Sequence, residues 1–237
     1  MLELGGDAAA IVCPTADVEH AAERIAFGAF ANSGQSCISV QRIYAHESLY
    51  PRLRDALIAR ATAITTGDPL LDSTGVGPLI TPDDAQRVER WVKSAVAKGA
   101  RLLCGGTRDG NIYTPTLLEH VPSDTELSCE EVFGPVAYLA PYRDFSEALD
   151  RVNASRFGLQ AGVFTNDLRE ARAAWDRLEV GAVIINDIPT FRTESMPYGG
   201  VKDSGLGREG IRSSITEMTE ERLMVVAPGP APRAGGA

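Results

Sequence analysis

Apolar positions along the chain alternate between compact runs and segments with helical spacing. Ala8 to Cys13 is a short apolar run typical of a buried strand, and Val18 to Phe30 has Ala, Ile and Phe at helical spacing. Ile38 to Ala45 again favours a strand, and Leu49 to Ile64 favours a helix with its larger apolar residues on one side. The chain is therefore predicted to open as strand, helix, strand, helix.

The same alternation continues through the rest of the sequence. Thr81 and Pro82 are the residue types that cap and open a helix, and the apolar stripe after them predicts a face packed on a core. Because strands and helices keep alternating, we predict an α/β fold, with a mostly parallel sheet flanked by helices. The later strands are predicted at Arg101 to Cys104, Val136 to Tyr142, Gly162 to Thr165 and Ala182 to Asn186, and the later helices at Ser146 to Asn153 and Leu168 to Arg177.

Composition narrows the class of protein. The chain has 237 residues, of which 44% are hydrophobic, and a formal net charge of -9. The apolar fraction suffices for a full core, and the negative charge disfavours nucleic acid or an anionic membrane as a partner. No apolar run reaches the roughly 18 residues of a membrane span, and the first residues lack the basic and apolar regions of a signal peptide.

The cysteines are scattered without the paired spacing of a zinc site or a disulfide framework, and a reducing cytoplasm fits such thiols. Cys37 differs from the other three, because it follows a predicted helix and the small or polar residues Asn32-Ser33-Gly34-Gln35-Ser36. Such a context suits a thiolate nucleophile, so we expect Cys37 to be the most reactive thiol. A small residue buried in a core is the alternative, and it is our interpretation of Cys13, Cys104 and Cys129, which lie in or beside strand-like stretches.

Four short motifs occur in order along the chain. Leu2-Glu3-Leu4-Gly5-Gly6 is followed by Gly34-Gln35-Ser36-Cys37, by Glu130-Glu131-Val132-Phe133-Gly134-Pro135, and by the segment from Pro197 to Gly205. The residues of these motifs and their order along the chain resemble the aldehyde dehydrogenase superfamily, from residue 2 to about residue 226. The resemblance departs at Asp7, where many members carry Lys or Asn.

The resemblance implies roles for two residues. Cys37 would attack an aldehyde carbonyl, giving a thiohemiacetal that releases a hydride to NAD or NADP and leaves a thioester. Glu3 would be the base that activates the hydrolytic water, and its presence favours release of a carboxylic acid over acyl transfer to coenzyme A. A surface carboxylate beside a glycine turn is the alternative interpretation of Glu3.

Further residues gain expected roles from the same resemblance. Glu131 and Phe133 would contact the nicotinamide ribose, an acidic surface turn being the alternative. Phe191 would line the aldehyde entrance, and Arg192 would hold an anionic group of the substrate, unless it is simply an exposed loop arginine. The segment from Gly205 to Gly210 matches the G-x-G-x-x-G pattern, but it follows a loop and not a strand, so we interpret it as a turn that leads into a helix.

Members of this superfamily are much longer, and the part before the first motif carries most of their dinucleotide-binding fold. We therefore expect the catalytic half of such an enzyme, working as a homo-oligomer or with a separate cofactor-binding half. Two alternatives stay open: a thiol esterase that needs no cofactor, and a non-catalytic remnant or partner subunit. The expected boundaries are a junction remnant carrying the general base at 1–7, a catalytic domain at 8–216, an oligomerisation strand at 217–226 and a disordered tail at 227–237.

Overall fold

Strands and helices alternate through the computed structural model, which describes residues 1–229. The helices are α1 Val18–Phe30, α2 Tyr50–Ala63, α3 Pro82–Ala97, α4 Glu126–Cys129, α5 Phe145–Asn153, α6 Leu168–Arg177 and α7 Ile211–Met218. The strands are β1 Leu2–Glu3, β2 Ala8–Val12, β3 Val40–His46, β4 Arg101–Cys104, β5 Arg108–Asp109, β6 Ile112–Tyr113, β7 Thr116–Glu119, β8 Val136–Tyr142, β9 Phe157–Gly158, β10 Gln160–Phe164, β11 Ala182–Ile185, β12 Val201–Lys202 and β13 Gly205–Leu206.

Seven strands form the central sheet, in the order β11-β10-β2-β3-β8-β7-β4. Every neighbouring pair runs parallel except β4 and β7, which are antiparallel. Short antiparallel ribbons join β1 to β13, β9 to β12 and β5 to β6. The predicted α/β fold with a mostly parallel sheet is thereby confirmed.

Helices cover both faces of the sheet. Helices α1 and α2 pack on one face around Ile43 and Leu139, whereas α5 and α6 pack on the other around Ile11 and Val163. Helix α3 covers the remainder of that second face near β7 and β8. Burial on both faces explains why β2 is a continuous apolar run and not an alternating one.

The start of α3 follows the sequence prediction closely. The Thr81 hydroxyl accepts a hydrogen bond from the Asp84 N–H at 3.1 Å, and Pro82 is the first helical residue. This bond satisfies a backbone donor that the helix itself leaves unpaired. The capping prediction is therefore confirmed.

The structure differs from the sequence predictions in its short strands, in Cys129 and in the segment 217–226. Strand β7 is the strand of the central sheet that was not predicted, because its four residues end in the charged Glu119 and lack an alternating pattern. The two-residue strands were not predicted either, namely β1, β5, β6, β9, β12 and β13. Cys129 ends α4 and is exposed, although we expected it in or beside a strand.

None of the helices in residues 1–229 combines the length and apolar character that crossing a membrane requires.

The third difference is the segment 217–226. Its first two residues end α7, and from Thr219 to the last described residue the chain has no regular secondary structure. Leu223 to Val226 are exposed, since no strand in the described part of the chain pairs with them. An edge strand needs a neighbour for its N–H and C=O groups. The role of the segment 217–226 in subunit association stays a prediction. Most of the predicted tail, residues 230–237, lies outside the described residues.

Candidate active site

Three of the four motifs lie at the amino-terminal edge of the central sheet. Gly6 precedes β2, Cys37 precedes β3, and Glu131 precedes β8. Strand β3 lies between β2 and β8, and all three run parallel, so the segments before them meet at one edge. Open α/β sheets more often bind ligands at the carboxyl ends of their strands. This candidate site lies at the opposite edge.

Glycines allow these segments to approach one another closely. A Cβ atom on Gly6 would lie 2.1 Å from the Cys37 carbonyl oxygen, and one on Gly34 would lie 2.1 Å from the Gly134 carbonyl oxygen. Gly34 also has φ of 68°, in the left-handed region that disfavours a side chain. Both motifs therefore need glycine because another backbone occupies the space of a side chain.

The turn between α1 and Cys37 is unusual in its backbone. Asn32, Ser33 and Gly34 have φ of 52°, 57° and 68°, three consecutive left-handed residues. The Ser33 hydroxyl donates to the Gly77 carbonyl at 3.0 Å and accepts from the Gly77 N–H at 3.1 Å. Left-handed backbone costs a non-glycine residue about 1–2 kcal/mol, and such strain concentrates at functional sites. The surrounding chain thus holds the Cys37 loop in a strained conformation.

Gln41, buried on β3, links the first and third motifs. Its amide nitrogen donates to the Gly6 carbonyl at 3.1 Å, and its side-chain oxygen accepts from the Val132 N–H at 2.8 Å. Glu131 Oε1 in turn accepts from the Gly6 N–H at 3.0 Å. Burial raises the pKa of Glu131, and the Gly6 hydrogen bond opposes this. One oxygen of this carboxylate is therefore engaged with the first motif.

The backbone around Glu3 is held by the fourth motif. Glu3 lies opposite Gly205 in the β1–β13 ribbon, and the neighbouring Leu4 N–H donates to the Ser204 carbonyl at 3.1 Å. The Glu3 side chain is exposed. Its charge nevertheless raises the pKa of Cys37, after the larger effect of burial.

The Cys37 sulfur is half-buried, and it lies 3.2 Å from the Tyr198 hydroxyl oxygen. Burial raises the pKa of Cys37, and the Glu3 and Glu131 carboxylates raise it further. The Tyr198 hydrogen bond and the backbone N–H of Cys37 oppose this shift. The thiol is therefore mostly protonated at neutral pH, and two hydrogen-bond donors favour its ionised form.

Arg192 is connected to the sulfur through Tyr198. Its guanidinium lies over the Tyr198 ring, with Cζ 4.2 Å from the ring centroid, and it donates to a Glu209 carboxylate oxygen at 2.6 Å. The backbones of Tyr198 and Glu209 exchange two hydrogen bonds, of 3.0 and 2.7 Å. Phe191, the preceding residue, is 42% exposed.

Sequence reasoning gave no role to Tyr198 or Gln41. The signal for Tyr198 was a phenolic hydroxyl inside a motif of proline and glycine, where a purely structural aromatic residue needs no polar atom. Gln41 offered no signal, because it lies inside a buried strand and contacts segments that are distant in sequence.

The sequence profile of the aldehyde dehydrogenase family matches residues 1–224. This chain belongs to the aldehyde dehydrogenase family. The 3-sulfolactaldehyde dehydrogenase of Priestia megaterium is 47% identical over 225 residues, which cover 95% of this chain and 47% of that relative. The chain thus spans about half the length of the curated relatives it matches.

Solved structures agree with this assignment. Aldehyde dehydrogenase 21 from Physcomitrella patens, in complex with the reaction product succinate, has a TM-score of 0.90 and 44% identity, over 92% of this chain and 46% of that one. The glyceraldehyde-3-phosphate dehydrogenase GapN from Methanocaldococcus jannaschii, complexed with NADP, has a TM-score of 0.88 and 40% identity, over 92% of this chain and 47% of that one. The fold of this chain is therefore that of the matching half of aldehyde dehydrogenases.

The G-x-G-x-x-G segment of this aldehyde dehydrogenase chain does not follow a strand of the central sheet. Its first two residues form β13, which pairs with β1, and α7 begins directly after Gly210. The interpretation as a turn that leads into a helix is confirmed. Within residues 1–229, this segment lacks the strand, glycine turn and helix arrangement that cradles a pyrophosphate.

The other cysteines have different surroundings. Cys13 is buried, and burial raises its pKa to about 12, while burial also raises the pKa of the half-buried Cys104. Cys129 is exposed. Judged by solvent exposure alone, the Cys129 thiol should react before the Cys37 thiol. The structure therefore does not support our expectation that Cys37 is the most reactive thiol of the resting chain.

Proposed function

We propose that this chain is the catalytic half of an enzyme that oxidises an aldehyde to a carboxylic acid, with NAD or NADP as the hydride acceptor. The observation that carries the proposal is the 3.2 Å contact between the Cys37 sulfur and the Tyr198 hydroxyl, beside a Gly6 N–H that donates to Glu131 and a Glu3 that pairs with Gly205. These contacts join residues of all four motifs. The family match and the dehydrogenase activity named for the relatives add support.

The proposed reaction begins at Cys37. A lone pair of its thiolate attacks the aldehyde carbon, a C–S bond forms, and the C=O π electrons move to the oxygen, where the Cys37 backbone N–H donates to the negative charge. A bound nicotinamide would supply the acceptor for the hydride of this carbon, leaving a thioester on Cys37. Glu3 then takes a proton from water, the water oxygen attacks the thioester, and the C–S bond breaks to release the acid and the thiolate.

Glu131 and Phe133 are the residues that we propose for the nicotinamide ribose. Glu131 Oε1 accepts from Gly6, while Oε2 accepts no hydrogen bond from residues 1–229, so it suits a ribose hydroxyl. Phe133, two residues after Glu131, is half-buried and has a left-handed backbone, with φ of 47°. The residues present thus fit a ribose, and the pyrophosphate would be held outside the described chain.

The substrate we propose is an aldehyde with an anionic group. Arg192 offers a guanidinium over the ring of Tyr198, whose hydroxyl contacts the sulfur, and a sulfonate or carboxylate would replace Glu209 as its counter-ion. The relative named 3-sulfolactaldehyde dehydrogenase and the succinate complex both concern anionic compounds. Phe191 would supply the apolar wall of the entrance, and the working unit would be a cytoplasmic homo-oligomer or a complex with a cofactor-binding half.

The proposal is tested with a chimera that joins the first half of the Priestia megaterium relative to this chain. Reduced nicotinamide should form with aldehyde and NAD or NADP, and Cys37→Ala should abolish it. The same two proteins are assayed with a nitrophenyl ester and no dinucleotide. Ester turnover without aldehyde oxidation would favour the thiol esterase, and absence of both activities in a folded chimera would favour a non-catalytic remnant.

A further inference from the structure

The Tyr198 side chain is held in a fixed position, although the sequence gave this residue no role. Its ring is buried, with 4% of the residue exposed, and its backbone is fixed by two hydrogen bonds to Glu209. The hydroxyl lies 3.2 Å from the Cys37 sulfur. Within residues 1–229, Tyr198 is the residue whose side chain forms a hydrogen bond with this sulfur.

The charges around the sulfur make such a donor necessary. The Glu3 and Glu131 carboxylates both disfavour a thiolate at Cys37, and so does burial. A hydrogen bond to a charged group is stronger than one between neutral groups, so a phenol that donates to the sulfur stabilises the thiolate more than the thiol. The Tyr198 hydroxyl therefore opposes the two carboxylates that the proposed chemistry requires nearby.

Arg192 makes this hydroxyl a better donor. A cation over the face of an aromatic ring draws electron density from it, and the guanidinium lies 4.2 Å from the Tyr198 centroid. The guanidinium charge lowers the pKa of Tyr198, although burial raises that pKa far more, so the phenol keeps its proton. Glu209 holds Arg192 in this place through its 2.6 Å ion pair.

We propose that Tyr198 is a catalytic residue that donates a hydrogen bond to the Cys37 thiolate, and that Arg192 is a positioning residue that acts on the thiolate through the Tyr198 ring. This rests on the proposed function, in which Cys37 is the nucleophile. When Cys37 ionises, its proton passes to water and the electron pair of the S–H bond stays on sulfur. Tyr198 shares its own proton with that sulfur without transferring it.

The test measures the rate of Cys37 alkylation by iodoacetamide from neutral to alkaline pH on the full chain, with peptide mapping to separate the four cysteines. Tyr198→Phe should raise the pKa of Cys37 by about one unit and slow alkylation at neutral pH about tenfold. The matched control is Tyr113→Phe, which removes a buried hydroxyl that has no hydrogen-bond partner in residues 1–229. This control should leave the Cys37 profile unchanged.

Arg192→Gln gives a second and independent measure, because this side chain is exposed and its loss does not threaten folding. It should slow alkylation at neutral pH about threefold, as expected for an exposed cation–π contact. The slowing should disappear when Tyr198→Phe is already present, since Arg192 acts through that ring. Arg143→Gln, which removes an exposed arginine of the remote Glu47 pair, is the control.

Each outcome bears on one proposal. An unchanged Cys37 profile in Tyr198→Phe, or no alkylation of Cys37 at any pH, would overturn the role of Tyr198. An Arg192→Gln effect that persists without the Tyr198 hydroxyl would overturn the role of Arg192. Aldehyde oxidation that survives Cys37→Ala in the chimera would overturn the proposed function, whatever the alkylation profiles are.

Discussion

Gly6 and Cys37 touch through their backbones: a methyl group on Gly6 would lie 2.1 Å from the Cys37 carbonyl oxygen. This contact joins the segment that carries the proposed base to the segment that carries the proposed nucleophile. Backbone contact fixes the distance between them more firmly than two long side chains could, because it removes rotamer freedom.

Gly6→Ala should therefore disturb both stability and the site. We expect the free energy of unfolding to fall by about 2 kcal/mol or more, since the added methyl group must displace a packed backbone. Gly67→Ala is the matched control, because its Cβ would make an ordinary 3.5 Å contact with the Thr74 side chain. Urea denaturation measures both variants, and equal losses would contradict the close-contact account.

Asp7, which follows the first motif, forms a buried ion pair. Its carboxylate lies 2.9 Å from Arg42 Nε, and the Ser155 hydroxyl donates to it at 3.0 Å. Asp7→Ala leaves a buried guanidinium without its counter-ion, so the free energy of unfolding should fall by about 3–5 kcal/mol. Glu47→Ala, which breaks an exposed pair with Arg143, should cost about 1 kcal/mol or less in the same urea titration.

Thiol reactivity in the resting chain should depend on access first. Iodoacetamide at neutral pH should label the exposed Cys129 before the half-buried Cys37. Because burial raises the pKa of Cys37, its rate should keep rising as the pH is raised past the ordinary range of a thiol. Peptide mapping at several pH values checks both statements. A Cys37 rate that levels off near neutral pH would mean that the thiolate is already formed.

Glu3 should matter after hydride transfer and not before it. In the chimera, Glu3→Gln removes the base that activates water while keeping the shape of the side chain, so the thioester should accumulate. A rapid burst of reduced nicotinamide followed by slow turnover is the expected time course. Glu23→Gln, on the exposed side of α1, is the control and should turn over normally. Loss of the burst itself would assign Glu3 to substrate binding or positioning.

The sequence predicted those parts of the fold that depend on local patterns. Helices α1 and α6 and strands β4 and β8 have the predicted bounds, since each is a continuous apolar run or a clear amphipathic stripe between turn residues. Strand β7 escaped because four residues carry too little periodicity. The exposed segment from Leu223 to Val226 is strand-like in composition, but a strand forms only with a partner.

The site was predictable to the same extent. Cys37 and Glu3 stand in contiguous motifs, and the resemblance of those motifs to a known family gave both residues their expected roles. The Tyr198 hydrogen bond joins positions 161 residues apart, and that of Gln41 to Val132 joins positions 91 apart. The Gln41 contact follows from how the segments before parallel strands meet at one edge, and the Tyr198 contact depends on where the segment after β11 folds back, which no local pattern decides.

The central claim is that Cys37 carries the acyl group during aldehyde oxidation. The most direct measurement is mass spectrometry of the Glu3→Gln chimera, supplied with aldehyde and NAD or NADP. The reaction is quenched after the burst of reduced nicotinamide and before the thioester is hydrolysed. The account predicts a mass increase equal to the acyl group on the peptide that contains Cys37, present only when both aldehyde and dinucleotide are supplied. Reduced nicotinamide formed with no adduct on Cys37, or with the adduct on another cysteine, would contradict it.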